Sequence, residues 1–164
     1  MRFQLLLFTA AIAASAAAQQ PTDTAHAQNH VIQLPGSLPG LPFSSAVRVG
    51  NVLYLSGQIG VLPGTRQLVD TGVVKQTQQT FENIKAVLAY AGSSLDRVFK
   101  CTVFLSNIAD YAKMNEVYAT YFPKDPPARS TVAGSGLALG ARVEIECLAT
   151  VGNSSDGRQP SRSP

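Results

Sequence analysis

The sequence predicts an α+β domain in which a single sheet carries two helices on one face. Three observations lead to this fold class. Strand and helix patterns follow one another in the order β-β-α-β-α-β-β, with consecutive hairpins expected at each end. The 164 residues are 45% apolar and 14% charged, which suits one domain with a substantial core. The strands are also apolar on both of their sides, so the second face of the sheet must be covered as well.

The first eighteen residues are typical of a signal peptide. A short positive start precedes an apolar run at residues 5–14, which is too short to span a bilayer. Small residues follow, and cleavage is expected after Ala16 or Ala18, with a second site near His26. We therefore expect a periplasmic or secreted protein that has no membrane contact after the signal is cleaved.

The rest of the chain divides into a tether, a domain and a tail. Residues 19–41 are rich in Gln, Thr, Ala, His and Pro without a sustained period, and they predict a flexible tether that becomes ordered only near the domain. Residues 42–151 form the folded domain. Residues 152–164 lack a run of apolar residues and predict a disordered tail.

The domain begins with a hairpin and a helix. Gly50 and Asn51 separate two β-rich runs at residues 46–49 and 52–55, as expected for a hairpin turn, and the second run continues to Gly60. Within residues 74–91 the apolar side chains recur with helical spacing, at Phe81, Ile84, Leu88 and Ala91. Gly92 is a suitable residue to end this helix.

The second half of the domain repeats the strand–helix pattern. Residues 98–105 are β-rich, and Asn107 can cap a second helix. That helix carries an apolar stripe of Met114, Val117, Tyr118 and Tyr121. Pro123 and the following prolines end it. Residues 130–133 and 143–151 predict the last two strands.

The strand at residues 98–105 explains why self-association is expected. Successive side chains of a strand point to opposite faces. One face holds Phe99, Cys101, Val103 and Leu105, and the other holds Val98, Thr102 and Phe104. Because a two-layer domain would leave the second apolar face in water, we predict a homo-oligomer.

Composition excludes several kinds of site. The two histidines, His26 and His30, precede the domain, so a histidine-based triad or a multi-histidine metal site within it is nearly excluded. The net charge of +3 is spread thinly, which gives little support to nucleic-acid binding. Cys101 and Cys147 lie in apolar strands and are expected to be buried thiols, although export would permit a disulfide between them.

The residues that remain for chemistry are few. Arg129 follows a stiff proline-rich approach, and its guanidinium could bind a carboxylate or pair with a surface acid. Glu144 and Glu146 share one face of the last strand, either as its solvated side or with one of them ordering a water in a subunit cleft. Ser56 ends a strand before Gly57 and could hydrogen-bond a ligand.

Four segments of the chain together resemble the RidA (YjgF) family of enamine/imine deaminases. These segments are Tyr54-Leu-Ser-Gly-Gln-Ile-Gly60, Asn115-Glu-Val-Tyr118, Pro127-Ala-Arg-Ser130 and Val143-Glu-Ile-Glu146. The resemblance implies a chorismate-mutase-like fold and a homotrimer with sites in the clefts between subunits. It also implies hydrolysis of reactive enamines and imines to 2-keto acids and ammonia without a metal or organic cofactor, as by a 2-iminobutanoate/2-iminopropanoate deaminase.

The same resemblance implies roles for individual residues. Arg129 would bind the substrate carboxylate and Glu144 would position the attacking water, and both are assigned as catalytic. Ser56 and Gly57 would contribute to substrate binding.

Two further substrate-binding positions depart from the family pattern. Phe43 stands where the family often has a tyrosine, so a hydroxyl is lost. Thr131 stands where a cysteine is frequent, and its backbone amide is kept.

Because of Phe43 and the expected export, a non-catalytic trimeric protein that binds small carboxylates is an alternative. A chaperone-like protein is another, and RNA cleavage fits poorly because no basic aromatic groove is evident.

Overall fold

Seven strands and two helices make up residues 29–152, the part of the chain that the computed structural model describes. The strands are β1 (Asn29–Ile32), β2 (Ala46–Val49), β3 (Val52–Leu55), β4 (Gln58–Ile59), β5 (Val98–Leu105), β6 (Ala128–Ala133) and β7 (Val143–Thr150). The helices are α1 (Val73–Tyr90) and α2 (Tyr111–Tyr121). The predicted signal peptide, the first part of the predicted tether and nearly all of the predicted tail lie outside the described residues.

One mixed sheet contains all of the strands, and the helices cover one of its faces, which confirms the predicted fold class. The strand order is β1-β2-β3-β7-β5-β6, and β4 also pairs with β7. All pairs are antiparallel except β5 with β6, which is parallel. The expected hairpin at the C-terminal end is therefore wrong, because β5 lies between β6 and β7. Asn29–Ile32, within the segment predicted as a tether that becomes ordered only near the domain, form the edge strand β1 on β2.

The first predicted hairpin is confirmed in detail. Ala46 is opposite Leu55 and Val49 is opposite Val52, so the two residues between the strands form the turn. Gly50 has a φ of +60°, a conformation that tight hairpin turns require and that glycine adopts at little cost. After this hairpin, β3 and β4 both pair with β7, and the two residues between them have no partner on β7.

The core lies between the sheet and the helices. The predicted stripe of α1 is buried, with Phe81, Ile84 and Leu88 all fully inaccessible to solvent. From α2, Tyr118 and Tyr121 pack against the Phe81 ring with centroids 5.4 and 4.4 Å away. The predicted helix end is confirmed, since Gly92, which follows the C-cap residue Ala91, has a φ of +75°.

Asn107 caps a different element from the one predicted. Its side-chain oxygen accepts a hydrogen bond of 3.0 Å from the Ala109 amide, at the start of the 3₁₀ turn Ile108–Asp110. This turn leads directly into α2. The cap is therefore one turn earlier than the helix itself.

The two faces of β5 also differ from the prediction. Val98, Cys101, Val103 and Leu105 are buried against the helices, whereas Phe99 is 44% exposed. The pairing with β7 is irregular between Val98 and Lys100, as in a β-bulge, and this inserts one residue into the alternation. The assignment of Phe99 to the same face as Cys101 is therefore wrong.

Cys101 and Cys147 form a disulfide, so the expectation of two free thiols is wrong. The two residues are directly opposite each other on β5 and β7, with Cα atoms 4.2 Å apart. Adjacent antiparallel strands bring such opposite pairs close together, well within the reach of a disulfide. The bond lies on the helix side of the sheet and is buried.

The other face of the sheet carries no helix and mixes apolar with polar side chains. Tyr54 and Val132 are about half exposed on this open face, and Phe104 and Leu148 are partly buried. Within the described part of the chain, no helix is long and apolar enough to cross a membrane.

Candidate functional site

Glu144 occupies the centre of the open face. It lies on β7 between Ile59 of β4 and Phe104 of β5. Its carboxylate is directly above Gly57, and any side chain at that position would overlap the carboxylate oxygen Oε1. Gly57 is therefore required for Glu144 to adopt this position.

The environment of Glu144 disfavours its charged form. Partial burial raises the pKa of its carboxyl above the usual value of 4.5, and the nearby Glu146 raises it further. Glu146 shares the same face but is exposed. The sequence did not decide which of these two acids lies in a cleft. Glu144 is the one in a partly closed environment, where it can accept and return a proton.

Ser56 connects this acid to the segment that holds Phe43. The Ser56 hydroxyl donates a hydrogen bond of 2.6 Å to the Ser44 carbonyl, and its amide donates one of 3.1 Å to the Ser45 carbonyl. The hydroxyl oxygen can still accept a hydrogen bond from a ligand. Phe43 is 55% exposed beside Ser44. These contacts place Phe43, Ser56, Gly57 and Glu144 in one region, which we call the acid half-site.

Arg129 lies elsewhere, on β6 at the edge of the sheet. Its register partner on β5 is Cys101, so its side chain is on the helix-covered side. The guanidinium carbon lies 4.5 Å from the centre of the Tyr118 ring, and Nη2 donates a hydrogen bond of 3.1 Å to the Tyr111 hydroxyl. Among the described residues Arg129 makes no salt bridge, so its charge is free for an anionic ligand.

Two hydroxyls close to Arg129 are buried without a hydrogen-bond partner in the described chain. They belong to Thr131, two residues along β6, and to Tyr118. Burial raises the pKa of Tyr118 to about 12, although the Arg129 charge acts in the opposite direction. Buried polar groups usually have partners, so these hydroxyls indicate a place for water or a ligand. We call Arg129, Thr131, Tyr111 and Tyr118 the arginine half-site.

The structure does not bring Arg129 and Glu144 together within one chain. Arg129 is in register with Cys101, whereas Glu144 is in register with Phe104. Beyond the bulge, these two β5 residues point to opposite faces, because they are three positions apart. The acid half-site is therefore on the open face and the arginine half-site is on the helix side.

Sequence reasoning did not find Tyr111 as a member of the site. It is the first residue of α2, and Tyr118 follows seven residues later on the same side of the helix. This spacing is a signal that two aromatic rings point the same way. Nothing in the sequence connects that side of α2 to the strand that holds Arg129.

A separate groove lies at the opposite edge of the sheet. It has a volume of about 600 Å³ between β1, β2 and the end of α1, where Ile32, Arg48 and Tyr90 line it. None of the predicted site residues takes part. No group of three or more His, Cys, Asp and Glu side chains that could hold a metal ion occurs within residues 29–152.

Comparison with known proteins places the chain among relatives over nearly all of its folded part. The sequence profile of the family described as endoribonuclease L-PSP matches residues 36–151. DfrA of Myxococcus xanthus is 46% identical over 110 residues, which cover 66% of this chain and 84% of that protein. The 2-iminobutanoate/2-iminopropanoate deaminase of Mus musculus is 41% identical over 111 residues, which cover 68% of this chain and 82% of the mouse protein.

A solved structure agrees with this relationship. The structure of TdcF from E. coli with bound serine superposes with a TM-score of 0.68 at 31% identity, covering 75% of this chain and 99% of that one. The similarity extends over nearly the complete length of TdcF.

Proposed function

The chain belongs to the endoribonuclease L-PSP family, that of the RidA (YjgF) proteins, and from this membership we propose that it hydrolyses reactive enamines and imines of short amino acids to 2-keto acids and ammonia. The observation that carries the proposal is Glu144, a partly buried carboxyl with a raised pKa above a glycine that leaves room for it. The reaction needs a group that orders a water and exchanges a proton near neutral pH.

Arg129 supplies the binding part of this proposal. Its guanidinium makes no salt bridge with the described residues, so it can form two parallel hydrogen bonds to a substrate carboxylate. The Thr131 amide and hydroxyl lie on the same strand. The serine bound to TdcF is a small amino acid that carries such a carboxylate, which supports a ligand of this class.

The proposed chemistry balances without a cofactor. An enamine first takes up a proton on its β carbon and becomes an iminium ion. Ionised Glu144 accepts a proton from a water as the water oxygen attacks the iminium carbon, which gives a tetrahedral aminoalcohol. Glu144 then returns this proton to the nitrogen, the carbon–nitrogen bond breaks, and ammonia leaves. The hydroxyl proton passes to the ionised Glu144 as the keto group forms, and Glu144 releases it to solvent, which supplied the proton for the β carbon. Positioning of the carboxylate and the water supplies much of the rate, because the imine carbon is already electrophilic.

We also propose that the active site is shared between subunits of a homotrimer. The arginine half-site and the acid half-site lie on opposite faces of one sheet, so a single chain cannot present both to one small substrate. A neighbouring copy can place its acid half-site against the arginine half-site of the first. The apolar residues on the open face support association of this kind.

We also propose that the protein is exported and acts outside the cytosol. The Cys101–Cys147 disulfide supports it, since disulfides persist mainly in oxidising compartments outside the cytosol. The substrate would then be an imino acid released outside the cytosol by an amino-acid-oxidising enzyme.

The direct test measures keto-acid formation from 2-aminoacrylate and 2-iminobutyrate generated in place by a dehydratase or an amino-acid oxidase. We expect the chain starting at Gln19 to accelerate keto-acid release and to lower the yield of semicarbazone when semicarbazide competes for the imine. Glu144→Gln should reduce kcat by about 100-fold or more. Arg129→Ala should reduce kcat/KM by about 100-fold while the oligomer persists.

Two matched variants serve as controls. Glu146→Gln removes an exposed acid from the same face as Glu144 and should retain most of the activity. Arg66→Ala removes an arginine from the exposed loop before α1. Full activity of Arg129→Ala would refute the proposed carboxylate contact.

A carboxylate-binding protein without catalysis is the second candidate, and Phe43 favours it. The Phe43 ring is exposed beside the acid half-site but offers no hydroxyl to a substrate or a water. Calorimetry that shows Arg129-dependent binding of 2-ketobutyrate, together with no acceleration of imine hydrolysis, would select this function. Phe43→Tyr would then be the first variant to test for gained activity.

A further inference from the structure

Two tyrosines of α2 hold the guanidinium of Arg129 in place. Its carbon lies 4.5 Å from the Tyr118 ring centre and 5.7 Å from the Tyr111 ring centre. The Tyr111 hydroxyl also accepts a hydrogen bond of 3.1 Å from Nη2. Stacking on Tyr118 restricts the plane of the guanidinium, and the hydrogen bond to Tyr111 restricts its rotation within that plane.

The chemical nature of these partners matters for ligand binding. A carboxylate in place of the Tyr111 hydroxyl would also orient Arg129, but it would neutralise the charge and compete with an anionic ligand. A phenol orients the group and leaves the positive charge available. The hydrogen bond occupies one N–H of Nη2, so the remaining N–H groups are left for a carboxylate.

Tyr111 directly follows a residue that is fixed by an ion pair. Asp110 accepts a hydrogen bond of 2.8 Å from Nε of Arg142 and forms a salt bridge with its Nη2 at 2.6 Å, and the Asp110 side chain is only 12% exposed. Tyr111 is 40% exposed, so its hydroxyl lies where a ligand can approach Arg129.

We propose that Tyr111 is a positioning residue of the carboxylate-binding site, which sets the orientation of Arg129 through its hydroxyl. This inference rests on the proposed function in one respect, namely that Arg129 binds the substrate carboxylate. The positioning of Arg129 itself does not depend on catalysis.

The test is Tyr111→Phe, which removes only the hydroxyl. We expect KM for 2-iminobutyrate and Kd for 2-ketobutyrate to rise about threefold to tenfold, with kcat changed less than about twofold. Tyr121→Phe is the matched control, because it removes a hydroxyl from the same helix that bonds Glu82 at 3.1 Å and does not contact Arg129. In an Arg129→Ala background, Tyr111→Phe should have no further effect on Kd.

A second measurement separates this inference from the proposed function. Nitrogen NMR of the Arg129 guanidinium should show hindered rotation in the parent and in Tyr121→Phe, and faster rotation in Tyr111→Phe. If the guanidinium rotates equally fast in the parent and in Tyr111→Phe, the inference is overturned, whether or not the chain is an enzyme. It is also overturned if Kd is unchanged in Tyr111→Phe while Arg129→Ala abolishes binding. If rotation of the Arg129 guanidinium is slow in a parent that hydrolyses no imine, the proposed deaminase function is refuted and the positioning role of Tyr111 stands.

Discussion

Reduction of the Cys101–Cys147 disulfide should lower the free energy of unfolding by about 4 kcal/mol. The bond connects residues 46 positions apart and so closes a long loop in the unfolded chain. For a loop of this length the chain-entropy relation gives about 13 to 14 cal/mol/K, or about 4 kcal/mol at 298 K. Both sulfur atoms are buried, at 0% and 2% exposure of their residues, so the reduced cysteines keep their place in the core.

The assay is urea unfolding of the oxidised and the reduced chain, followed by circular dichroism. Both forms must be compared at one protein concentration, because the stability of an oligomer depends on concentration. With a urea dependence of about 2 kcal/mol/M, the midpoint should fall by about 2 M on reduction. A double variant, Cys101→Ala with Cys147→Ala, is the control that reductant should leave unchanged.

Two results would refute the reasoning. One is an unchanged midpoint in a parent whose complete reduction has been established by thiol titration. The other is the titration of two free thiols in the denatured, unreduced chain, which would mean that the register between β5 and β7 does not lead to a bond.

Three further predictions concern Gly57, Glu144 and Asp110. Gly57→Ala should displace the Glu144 carboxylate and reduce kcat by about tenfold or more while the fold persists, as measured by initial rates and circular dichroism. Because burial and Glu146 raise the pKa of Glu144, the folded chain binds this proton at higher pH than the unfolded chain, and stability is lost as pH rises through the folded pKa. Glu144→Gln should therefore raise Tm at neutral pH, and this gain in Tm should disappear below the ordinary pKa of 4.5. An unchanged Tm at pH 7 would contradict the raised pKa of Glu144. Asp110→Ala should leave Arg142 unpaired and cost about 1 to 3 kcal/mol in urea unfolding, whereas a change below 0.5 kcal/mol would show the pair to be unimportant.

Local patterns in the sequence were sufficient to predict most of the elements. The hairpin at Gly50 and the apolar stripe of α1 depend on contacts between residues close in the chain, and both are confirmed. These local patterns did not predict the pairing between strands that are distant in the sequence. The sequence did not reveal that β5 lies between β6 and β7, nor the β5–β7 register that brings Cys101 opposite Cys147.

The candidate site residues were predicted one by one, but their arrangement was not. The resemblance to the RidA family singled out Arg129 and Glu144 as candidates, and in the structure Glu144 is partly buried. Their placement on opposite faces depends on the register with β5, where Arg129 is opposite Cys101 and Glu144 is opposite Phe104. The face of Phe99 was predicted wrongly for another reason, because a one-residue insertion reverses the alternation of side chains and period-two patterns cannot reveal it. Tyr111 was missed because its relation to Arg129 is purely tertiary.

The location of Arg129 on an edge strand has a consequence for how the protein loses activity. Within residues 29–152, β6 pairs with β5 alone, so its amide hydrogens should exchange with solvent earlier than those of β5 or β7. Such local opening would release Arg129 while the central sheet stays intact. Moderate heating should then inactivate the protein before it melts, and a second subunit that covers β6 would protect the site by suppressing this opening.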